Sequence, residues 1–307
     1  LPISIFVSIA SFIDPLLEFT LDGLFEKAQH ADDIKVGLVD QSNQDNRSWL
    51  RNKPYWKNIR YVNIDPIDAR GACWARSLIF SLYEGEDYFL QIDSHTHFSN
   101  NWDNILIQEI KKLSHIDRPI ITTYPPSFDF DENNNPSPIY PPSDAVLVMR
   151  PNMDRQLTDT SATLMFKLEH VRGSDFVEGF HVAGGFIFTS GSFVENIPYD
   201  PYMYFHGEEQ NIALRAYTNG WTIFHPRDDS IPIFHLYKKP NQEYKTHHWH
   251  PDHEAQRTIK WRIHNQRSNS RLISLIRNQI SAPYGLGKER SLSQFIELSN
   301  IDYRRYL

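Results

Sequence analysis

The chain has 307 residues, of which 40% are hydrophobic and 13% aromatic, so it is long enough to bury one large core. Its net charge of −7 argues against a general binder of nucleic-acid backbones, which is normally basic. The single cysteine, Cys73, excludes an internal disulfide framework and predicts a reducing, cytoplasmic compartment. No stretch approaches the roughly 20 apolar residues of a membrane span. Residues 1–10 are apolar but lack the basic leader of a signal peptide, and they are predicted as a strand.

The first third of the chain alternates apolar runs with segments of helical spacing. The runs ISIFVSIASF, IKVGLVDQ, NIRYVNI and DYFLQID are predicted as strands. Helices are predicted between them, over LLEFTLDGLFEKAQHA and over residues 69–83. This alternation predicts a doubly wound α/β sheet, in which ligands bind beyond the carboxyl ends of the strands. Asp93 falls at one of those ends.

The remainder of the chain is less regular. A helix is predicted over residues 102–113, a strand over PIITTYP, and a Pro- and Asn-rich loop over residues 127–144 that has the length of a lid or insertion. AVLVMRPNM is strand-like, and HVAGGFIFTSGSF is predicted as a strand interrupted by two glycines. A helix over residues 208–219, strands over WTIFHP and IPIFHLY, and one or two C-terminal helices complete the chain.

The segment DSHTHF follows the predicted strand DYFLQID directly. Asp93 and His95 can point to the same side of a strand end and offer one oxygen and one nitrogen ligand, which suits Mn²⁺ or Zn²⁺. Asp93-x-His95 is then the metal anchor of a nucleotide-sugar transferase. Alternatively, His95-x-His97 is the first-strand motif of a metal-dependent hydrolase barrel, or the segment is a polar strand end without metal. Because about ninety residues of α/β pattern precede the motif, the first-strand position of a barrel is disfavoured.

Several segments around this motif carry a family resemblance. VSIASFIDP, the pair Asp40-Gln41, RGACWAR and YFLQIDSHTHFSNNWD together resemble the cytosolic polypeptide α-N-acetylglucosaminyltransferases of glycosyltransferase family 60. The likeness continues through AGGFIF and FHGEEQNIALRAYTNGWTIFHP to FHLY, so that it covers residues 3–237. It implies a GT-A type, Rossmann-like α/β fold with a mixed central sheet and C-terminal helices. It also implies a UDP-sugar donor such as UDP-N-acetylglucosamine, Mn²⁺ or another divalent cation such as Mg²⁺, and retention of the anomeric configuration.

The resemblance extends to the mucin-type polypeptide GalNAc-transferases, whose metal motif is also Asp-x-His. Their third ligand is a histidine downstream of a Gly-Glu pair. Counted from Glu208, the corresponding residue is His235 in PIFHLY. The implied metal ligands are therefore Asp93, His95 and His235; a satisfied buried histidine is the alternative for the last of these.

The resemblance places the nucleoside base at the end of the first strand, where small residues let a ring approach the backbone. Arg76 can reach the diphosphate or base from its helix, and the glycine pair leaves room for a sugar ring. The residues assigned to donor binding are Ser8, Ala10, Ser11, Asp14, Gln41, Arg76, Asp93, Ser94, Gly184 and Gly185. Each assignment has a structural alternative. The small residues could serve ordinary strand packing, Arg76 could form a surface salt bridge, and the glycine pair could form a β-bulge.

Glu208 and Glu209 follow Gly207 at a predicted helix start, where the helix dipole stabilises carboxylates. We assign the catalytic positions to this pair, one of which binds hydroxyl groups of the donor sugar or the acceptor; helix capping is the alternative. A histidine cluster further on lacks the cysteines and the defined ligand spacing of a zinc site. We expect it to belong to a lid, with Trp249 stacking on a sugar or base. Its members are His247, His248, His250 and His253.

The chain departs from the family at one position. Eukaryotic relatives commonly carry Arg before the first Asp-Pro, where this chain has Ile13, so the identity of the donor sugar is not carried over. The predicted function is a metal-dependent retaining transfer of a sugar to a protein or glycan hydroxyl. A metal-dependent hydrolase and a non-catalytic sugar-binding module are the alternatives. No nucleic-acid partner and no membrane span are expected.

Two domains are expected on the same grounds. Residues 1–240 are predicted to form the catalytic domain, with a nucleotide-binding half over 1–100 and an acceptor and donor-sugar half over 101–240. Residues 241–307 are predicted to form a C-terminal lid and helical extension.

Overall fold

The computed structural model describes residues 3–141, 144–152, 157–237 and 247–307. The predicted domain boundary at residues 240 and 241 lies outside these ranges, as do the first two residues of the predicted first strand and the last residue of AVLVMRPNM. No helix in the described ranges is long and apolar enough to cross a membrane.

The strands and helices alternate through the first half of the chain. The strands are β1 (Ile5–Phe12), β2 (Ile34–Gln41), β3 (Ile59–Ile64), β4 (Tyr88–Asp93), β5 (Thr96–Phe98), β6 (Pro119–Thr122), β7 (Phe128–Phe130), β8 (Pro136–Pro138), β9 (Ala145–Pro151), β10 (Phe166–Arg172), β11 (Phe176–Gly179), β12 (Phe186–Ser190), β13 (Thr222–Pro226) and β14 (Ile233–His235). The helices are α1 (Leu17–Glu26), α2 (Arg47–Leu50), α3 (Ala72–Phe80), α4 (Trp102–Lys111), α5 (Ser192–Asn196), α6 (Glu208–Thr218), α7 (Pro251–Glu254), α8 (Trp261–Ile276) and α9 (Leu292–Ser299).

The central element is an eight-stranded mixed sheet in the order β11-β13-β6-β12-β4-β1-β2-β3. Strands β3, β2, β1 and β4 are parallel, whereas β12 runs antiparallel to both of its neighbours. The register pairs Ala10 of β1 with Asp93 of β4, and Phe12 of β1 with Gln41 of β2. The carboxyl ends of three neighbouring strands therefore meet at one edge, where an α/β sheet binds its ligands.

Both faces of the sheet are covered, which explains the nearly continuous apolar runs of the parallel strands. Strand β1 buries Ile5, Val7 and Ile9 against α1 and α4, and Phe6 on the opposite face against α3. The C-terminal helices α8 and α9 add their apolar side chains to this second layer, in the same core as α3 and α6.

The structure corrects the sequence-based prediction at several places, among them the end of HVAGGFIFTSGSF, where Ser192 and Phe193 belong to α5. The Pro-rich loop contains a small antiparallel hairpin, formed by β7 and β8. The glycine pair precedes β12 instead of interrupting a strand, because the Phe186 N–H donates to the Ala183 carbonyl (3.1 Å) and closes a turn around the two glycines. Strands β10 and β11 were not predicted. Strand β10 is largely exposed and pairs only with β9 among the described strands, so its sequence has no continuous apolar run.

The packing between β1, β2 and α3 leaves no space at Gly37. A Cβ atom at this position would lie 2.6 Å from Phe6 Cζ and 2.7 Å from Ile79 Cγ2. Overpacking of this kind costs about 1–3 kcal/mol, so Gly37→Ala is expected to lower the free energy of unfolding by that amount. Urea denaturation followed by circular dichroism measures it.

Gly23 in α1 provides the matched control. A Cβ atom there makes an ordinary contact, 3.7 Å from Phe98 Cδ2, and alanine favours a helix over glycine by up to about 1 kcal/mol. Gly23→Ala should therefore be neutral or stabilising. Equal stability of the two variants would contradict this account of the packing.

Candidate active site

Strand pairing brings the predicted metal ligands together. Asp93 ends β4, and His95 lies one residue before β5. Strand β14 pairs antiparallel with β5 and places His235 opposite Thr96. One ligand atom from each of Asp93, His95 and His235 lies within 4.8 Å of the other two. We call these three residues the metal group.

The imidazole of His95 is oriented from behind by Asp14. His95 Nδ1 lies 2.7 Å from Asp14 Oδ2, which also accepts a hydrogen bond from the Ser94 hydroxyl (2.8 Å). Because a carboxylate only accepts, the proton of the imidazole is on Nδ1 and Nε2 keeps its lone pair. Asp14 reaches this position through Ile13, whose φ of 46° is a rare left-handed conformation for a β-branched residue.

Asp93 has two polar partners. Its Oδ1 accepts from Arg76 Nη2 (2.9 Å), and its Oδ2 lies 2.9 Å from His235 Nε2. Burial alone would raise the pKa of Asp93, but the hydrogen bond with His235 and the positive charge of Arg76 outweigh burial and hold it well below its usual range. Asp93 therefore presents an ionised carboxylate.

These three residues fit a divalent cation. Their donor set of one carboxylate and two imidazoles suits Mn²⁺, and metal-bound histidines commonly donate their other N–H to a carboxylate, as His95 does to Asp14. His97 lies outside the group: its ring stacks on Phe19 at 5.9 Å, and its Nε2 is 3.3 Å from Lys27 Nζ. The hydrolase interpretation of His95-x-His97 requires a barrel, and the central sheet is open, so this interpretation is excluded.

Arg76 connects the metal group to the helix start at Glu208. Its Nη1 donates to Glu208 Oε1, while Nη2 donates to Asp93 and to the Gly184 carbonyl (3.0 Å). Gln91 Nε2 donates to the same carbonyl (2.8 Å). Arg76 is only 4% exposed, so its structural alternative, a surface salt bridge, does not apply.

The two adjacent glutamates occupy different environments. Glu208 is buried, and Tyr199 donates to its Oε1 (2.8 Å); burial raises its pKa despite the opposing charge of Arg76. Glu209 accepts from the Gly184 N–H (2.7 Å) and pairs with His181. Burial would raise the pKa of Glu209, but its hydrogen bonds, led by that of His181, lower it.

Two cavities meet at the metal group. The first has a volume of about 330 Å³ and the second about 320 Å³. Residues common to both walls are Asp93, Phe205, His235 and Tyr237. The two cavities therefore adjoin at the candidate cation site, and we call them together the cleft.

Most of the residues assigned to donor binding line this cleft. Those in the first cavity are Ala10, Asp14, Gln41, Asp93 and Ser94, and those in the second are Arg76, Asp93, Gly184 and Gly185. Ser8 and Ser11, both within the described residues, are fully buried in the sheet and line neither cavity. Gln41 Nε2 donates to the Ser11 carbonyl (3.0 Å), whereas its Oε1 has no partner among the described residues.

The histidine-rich segment forms a wall of the first cavity. His248 accepts from the Tyr204 hydroxyl at Nδ1 (2.7 Å) and donates from Nε2 to the Ala69 carbonyl (2.8 Å). Burial and the nearby Arg257 lower the pKa of His248 to about 3, which keeps it neutral. Trp249 lies beside it and contacts Phe205, with ring centroids 5.1 Å apart.

Sequence reasoning missed several residues of the cleft. Tyr124, His181 and Tyr199 hold the glutamates, and Phe205 and Tyr237 line both cavities. The only sequence signal for His181 is its position three residues before the glycine pair. The others are aromatic residues that the sequence does not distinguish from core residues.

Comparison with known proteins identifies the fold. The sequence model of the family described as Glycosyltransferase (GlcNAc) matches residues 4–55 and 50–305. The crystal structure of GalNAc-T7 with UDP, GalNAc and Mn²⁺ superposes with a TM-score of 0.56 at 14% identity, over 99% of this chain and 56% of that chain. A TarS structure from S. aureus has a TM-score of 0.47 at 12% identity, over 76% and 60% of the two chains. No protein among the curated proteins matches the sequence.

The chain thus spans just over half the length of the GalNAc-T7 chain that it resembles. The predicted GT-A type α/β fold with a mixed central sheet is confirmed.

The contact between Asp14 and His95 leads to a prediction for metal affinity. Asp14→Asn removes the charge that orients the His95 ring, and loss of such a supporting group typically weakens metal binding about 10- to 100-fold. Titration calorimetry with Mn²⁺ measures the change. Asp22→Asn is the control, because Asp22 lies outside the metal group and its carboxylate likewise accepts from two side chains, Lys53 and Tyr55. Wild-type Mn²⁺ affinity in Asp14→Asn would contradict the assigned role.

Proposed function

The chain belongs to the glycosyltransferase family whose sequence model it matches, as its motifs predict, and we propose that it is a metal-dependent retaining enzyme. It moves a sugar, with N-acetylglucosamine as the first candidate, from a UDP-sugar to a hydroxyl group of a protein or glycan. The observation that supports this proposal is the meeting of two cavities at Asp93 and His235. A nucleotide sugar has the matching shape, with a nucleoside at one end, a sugar at the other and a diphosphate between them.

The first cavity suits a nucleoside. Phe12 and Trp249 supply aromatic walls, and the small side chain of Ala10 leaves room for a ring beside the backbone. The unpartnered Oε1 of Gln41 can accept a hydrogen bond from the imide N–H of uracil. Such a buried acceptor favours a base that can donate to it.

The second cavity suits the transferred sugar. A Cβ atom at Gly185 would lie 3.1 Å from Asp93 Oδ2, so the bare backbone there leaves space next to the candidate cation site. Arg76 and Glu209 add polar groups for hydroxyls. We assign Glu208 and Glu209, which both line this cavity, to the reacting end of the cleft.

The charge of the cleft requires a cation for a diphosphate to bind. Among the described residues that line the two cavities, four carboxylates face a single guanidinium, that of Arg76. The carboxylates are Asp14, Asp93, Glu208 and Glu209. A diphosphate alone would be repelled by this excess of negative charge.

A divalent cation bound by Asp93, His95 and His235 would neutralise the diphosphate as a Lewis acid and stabilise it as a leaving group. The chain's own residues orient the reaction: Arg76 fixes the Asp93 carboxylate, and Asp14 fixes the His95 ring. In a retaining transfer on one face of the sugar, the departing phosphate oxygen can take the proton of the acceptor hydroxyl. A separate general base is then not required.

The domain assignment follows from the same proposal. Residues 1–240 form the catalytic domain, with the nucleoside end of the cleft in 1–100 and the sugar and acceptor end in 101–240. Residues 241–307 supply a cover and a helical extension, of which Trp249 contributes to the first cavity. The single buried cysteine supports a reducing, cytoplasmic setting.

A panel of nucleotide sugars tests the proposal. With Mn²⁺, the protein is expected to release UDP from a UDP-sugar, first from UDP-N-acetylglucosamine, and EDTA should abolish the release because the diphosphate loses its countercharge. Nucleotide release measured by a coupled assay gives the rates. Undiminished activity in EDTA, or activity only with donors that lack a nucleotide, would contradict the proposal.

Asp93→Ala and His97→Ala form the matched pair for this assay. Asp93→Ala should lower the rate at least about 100-fold; it should also lower the melting temperature, because Arg76 loses one of its buried partners, while the protein remains folded at the assay temperature. His97→Ala should lower the rate much less, because its ring packs outside the metal group. Thermal denaturation of both variants checks folding. Equal losses in the two variants would count against Asp93, His95 and His235 as the ligand set.

The stereochemistry of the product is a separate prediction. The retaining mechanism implied by the resemblance leads to an α linkage from an α-configured donor. Proton NMR of the new anomeric centre distinguishes the two outcomes through its coupling constant. A β linkage would exclude the retaining mechanism while leaving the donor assignment intact.

A further inference from the structure

One carboxylate at the second cavity is held by three donors. Glu209 Oε1 accepts from the Gly184 N–H (2.7 Å), and Oε2 accepts from the Tyr124 hydroxyl (3.2 Å). His181 Nε2 lies 3.2 Å from the same Oε2. Because an ionised carboxylate can only accept, His181 must carry a proton on Nε2.

The ring of His181 is itself fixed by packing. It is almost completely buried, with 2% of its side chain exposed. Phe166, the first residue of β10, stacks on it with ring centroids 3.5 Å apart and an interplanar angle of 15°. The stack sets the plane of the imidazole and so directs Nε2 at Glu209.

The neighbouring glutamate is not available in the same way. Oε1 of Glu208 accepts from both Arg76 and Tyr199, and only 6% of its side chain is exposed. The Glu209 side chain is 30% exposed and lines the second cavity. Glu209 is therefore the carboxylate that can accept further hydrogen bonds from a ligand.

We propose that His181 is a positioning residue, which together with Tyr124 holds the Glu209 carboxylate so that it accepts hydrogen bonds from hydroxyl groups of the transferred sugar. This inference rests on the proposed function of the second cavity. Two hydroxyls on neighbouring ring carbons match the two oxygens of a carboxylate. Without the donors from His181 and Tyr124, only the Gly184 N–H still holds the carboxylate, through Oε1, and the position of Oε2 is no longer fixed.

Replacement of His181 or Tyr124 should weaken only the binding of the sugar part of the donor. His181 and Tyr124 do not line the first cavity, so their replacement should leave the affinity for UDP unchanged. The affinity for the whole UDP-sugar should fall, because Glu209 loses its orientation. A purely structural role would weaken both ligands together.

The experiment compares His181→Phe with His181→Gln in the full chain with Mn²⁺. The phenylalanine keeps a ring to stack on Phe166 but removes the donor, whereas the amide of glutamine restores an N–H near Nε2. Calorimetry measures the dissociation constants of UDP and of the UDP-sugar that gives the fastest UDP release with the wild type, and kcat/KM is measured for the same sugar. His181→Phe should weaken binding of the UDP-sugar and lower kcat/KM at least about tenfold. His181→Gln should recover to within about threefold of the wild type.

Two further variants guard against an effect of folding. Tyr124→Phe removes the second donor with no change in ring size and should weaken the UDP-sugar about threefold, with UDP unaffected. His225→Gln replaces another buried imidazole of this region, whose Nδ1 lies 2.8 Å from the Thr122 carbonyl, and should leave both affinities at wild-type values.

The inference is overturned if His181→Phe and Tyr124→Phe bind the UDP-sugar like the wild type. It is also overturned if UDP and the UDP-sugar weaken equally, or if His225→Gln shows the same selective loss. A wild-type protein that binds none of the nucleotide sugars would refute the proposed function, and this inference with it.

Discussion

The rest of the cleft depends on the buried guanidinium of Arg76. A charge this deeply buried is stable only when its hydrogen bonds and charge are matched, and removing one partner of such a pair typically costs about 3–5 kcal/mol. The partners are Asp93, Glu208 and the Gly184 carbonyl. They belong to β4, the start of α6 and the turn before β12, so one side chain on α3 fixes the relative position of three elements. The hydrogen bond with His235 and the charge of Arg76 together keep the pKa of Asp93 low, so Asp93 presents the carboxylate that a metal ligand must offer.

Arg76 also explains why two adjacent glutamates have different environments. Successive residues of a helix point about 100° apart, so when Glu208 turns inward to Arg76, Glu209 turns toward the second cavity. Glu208, which points inward, stabilises the buried guanidinium of Arg76. Glu209, which points outward, can accept further hydrogen bonds. The turn containing Gly184 completes the arrangement, since its carbonyl accepts from Arg76 and its N–H donates to Glu209. A single turn therefore links Arg76, which binds Asp93, to Glu209 in the second cavity.

How much of the fold and of the site could be predicted from the sequence depends on how far apart in the chain the interacting residues lie. The parallel strands and the position of Asp93 were predictable, because buried parallel strands leave continuous apolar runs and their carboxyl ends share an edge. His235 was reached through a family resemblance alone, since its place beside Asp93 depends on the pairing of β14 with β5, more than a hundred residues apart in the chain. The prediction that Ser8 and Ser11 line the cleft was wrong, because both side chains are buried within the sheet. How deeply a strand residue is buried depends on the pairing register, which the sequence of one strand does not show.

The contacts of the histidine-rich segment also could not be predicted from its sequence. Its composition suggested a lid that becomes ordered over the donor, yet its hydrogen bonds are made to the protein. His248 bonds to Tyr204 and to the Ala69 carbonyl, and Arg257 donates to the Pro66 carbonyl from Nε (3.1 Å) and Nη2 (3.0 Å). Both side chains are buried, so loss of either bond would leave a buried polar group unpaired, at a cost of about 1–3 kcal/mol or more. Trp249 thus belongs to a wall whose position the fold determines. In the proposed donor complex, a preformed wall would spare binding the cost of ordering the residues around Trp249.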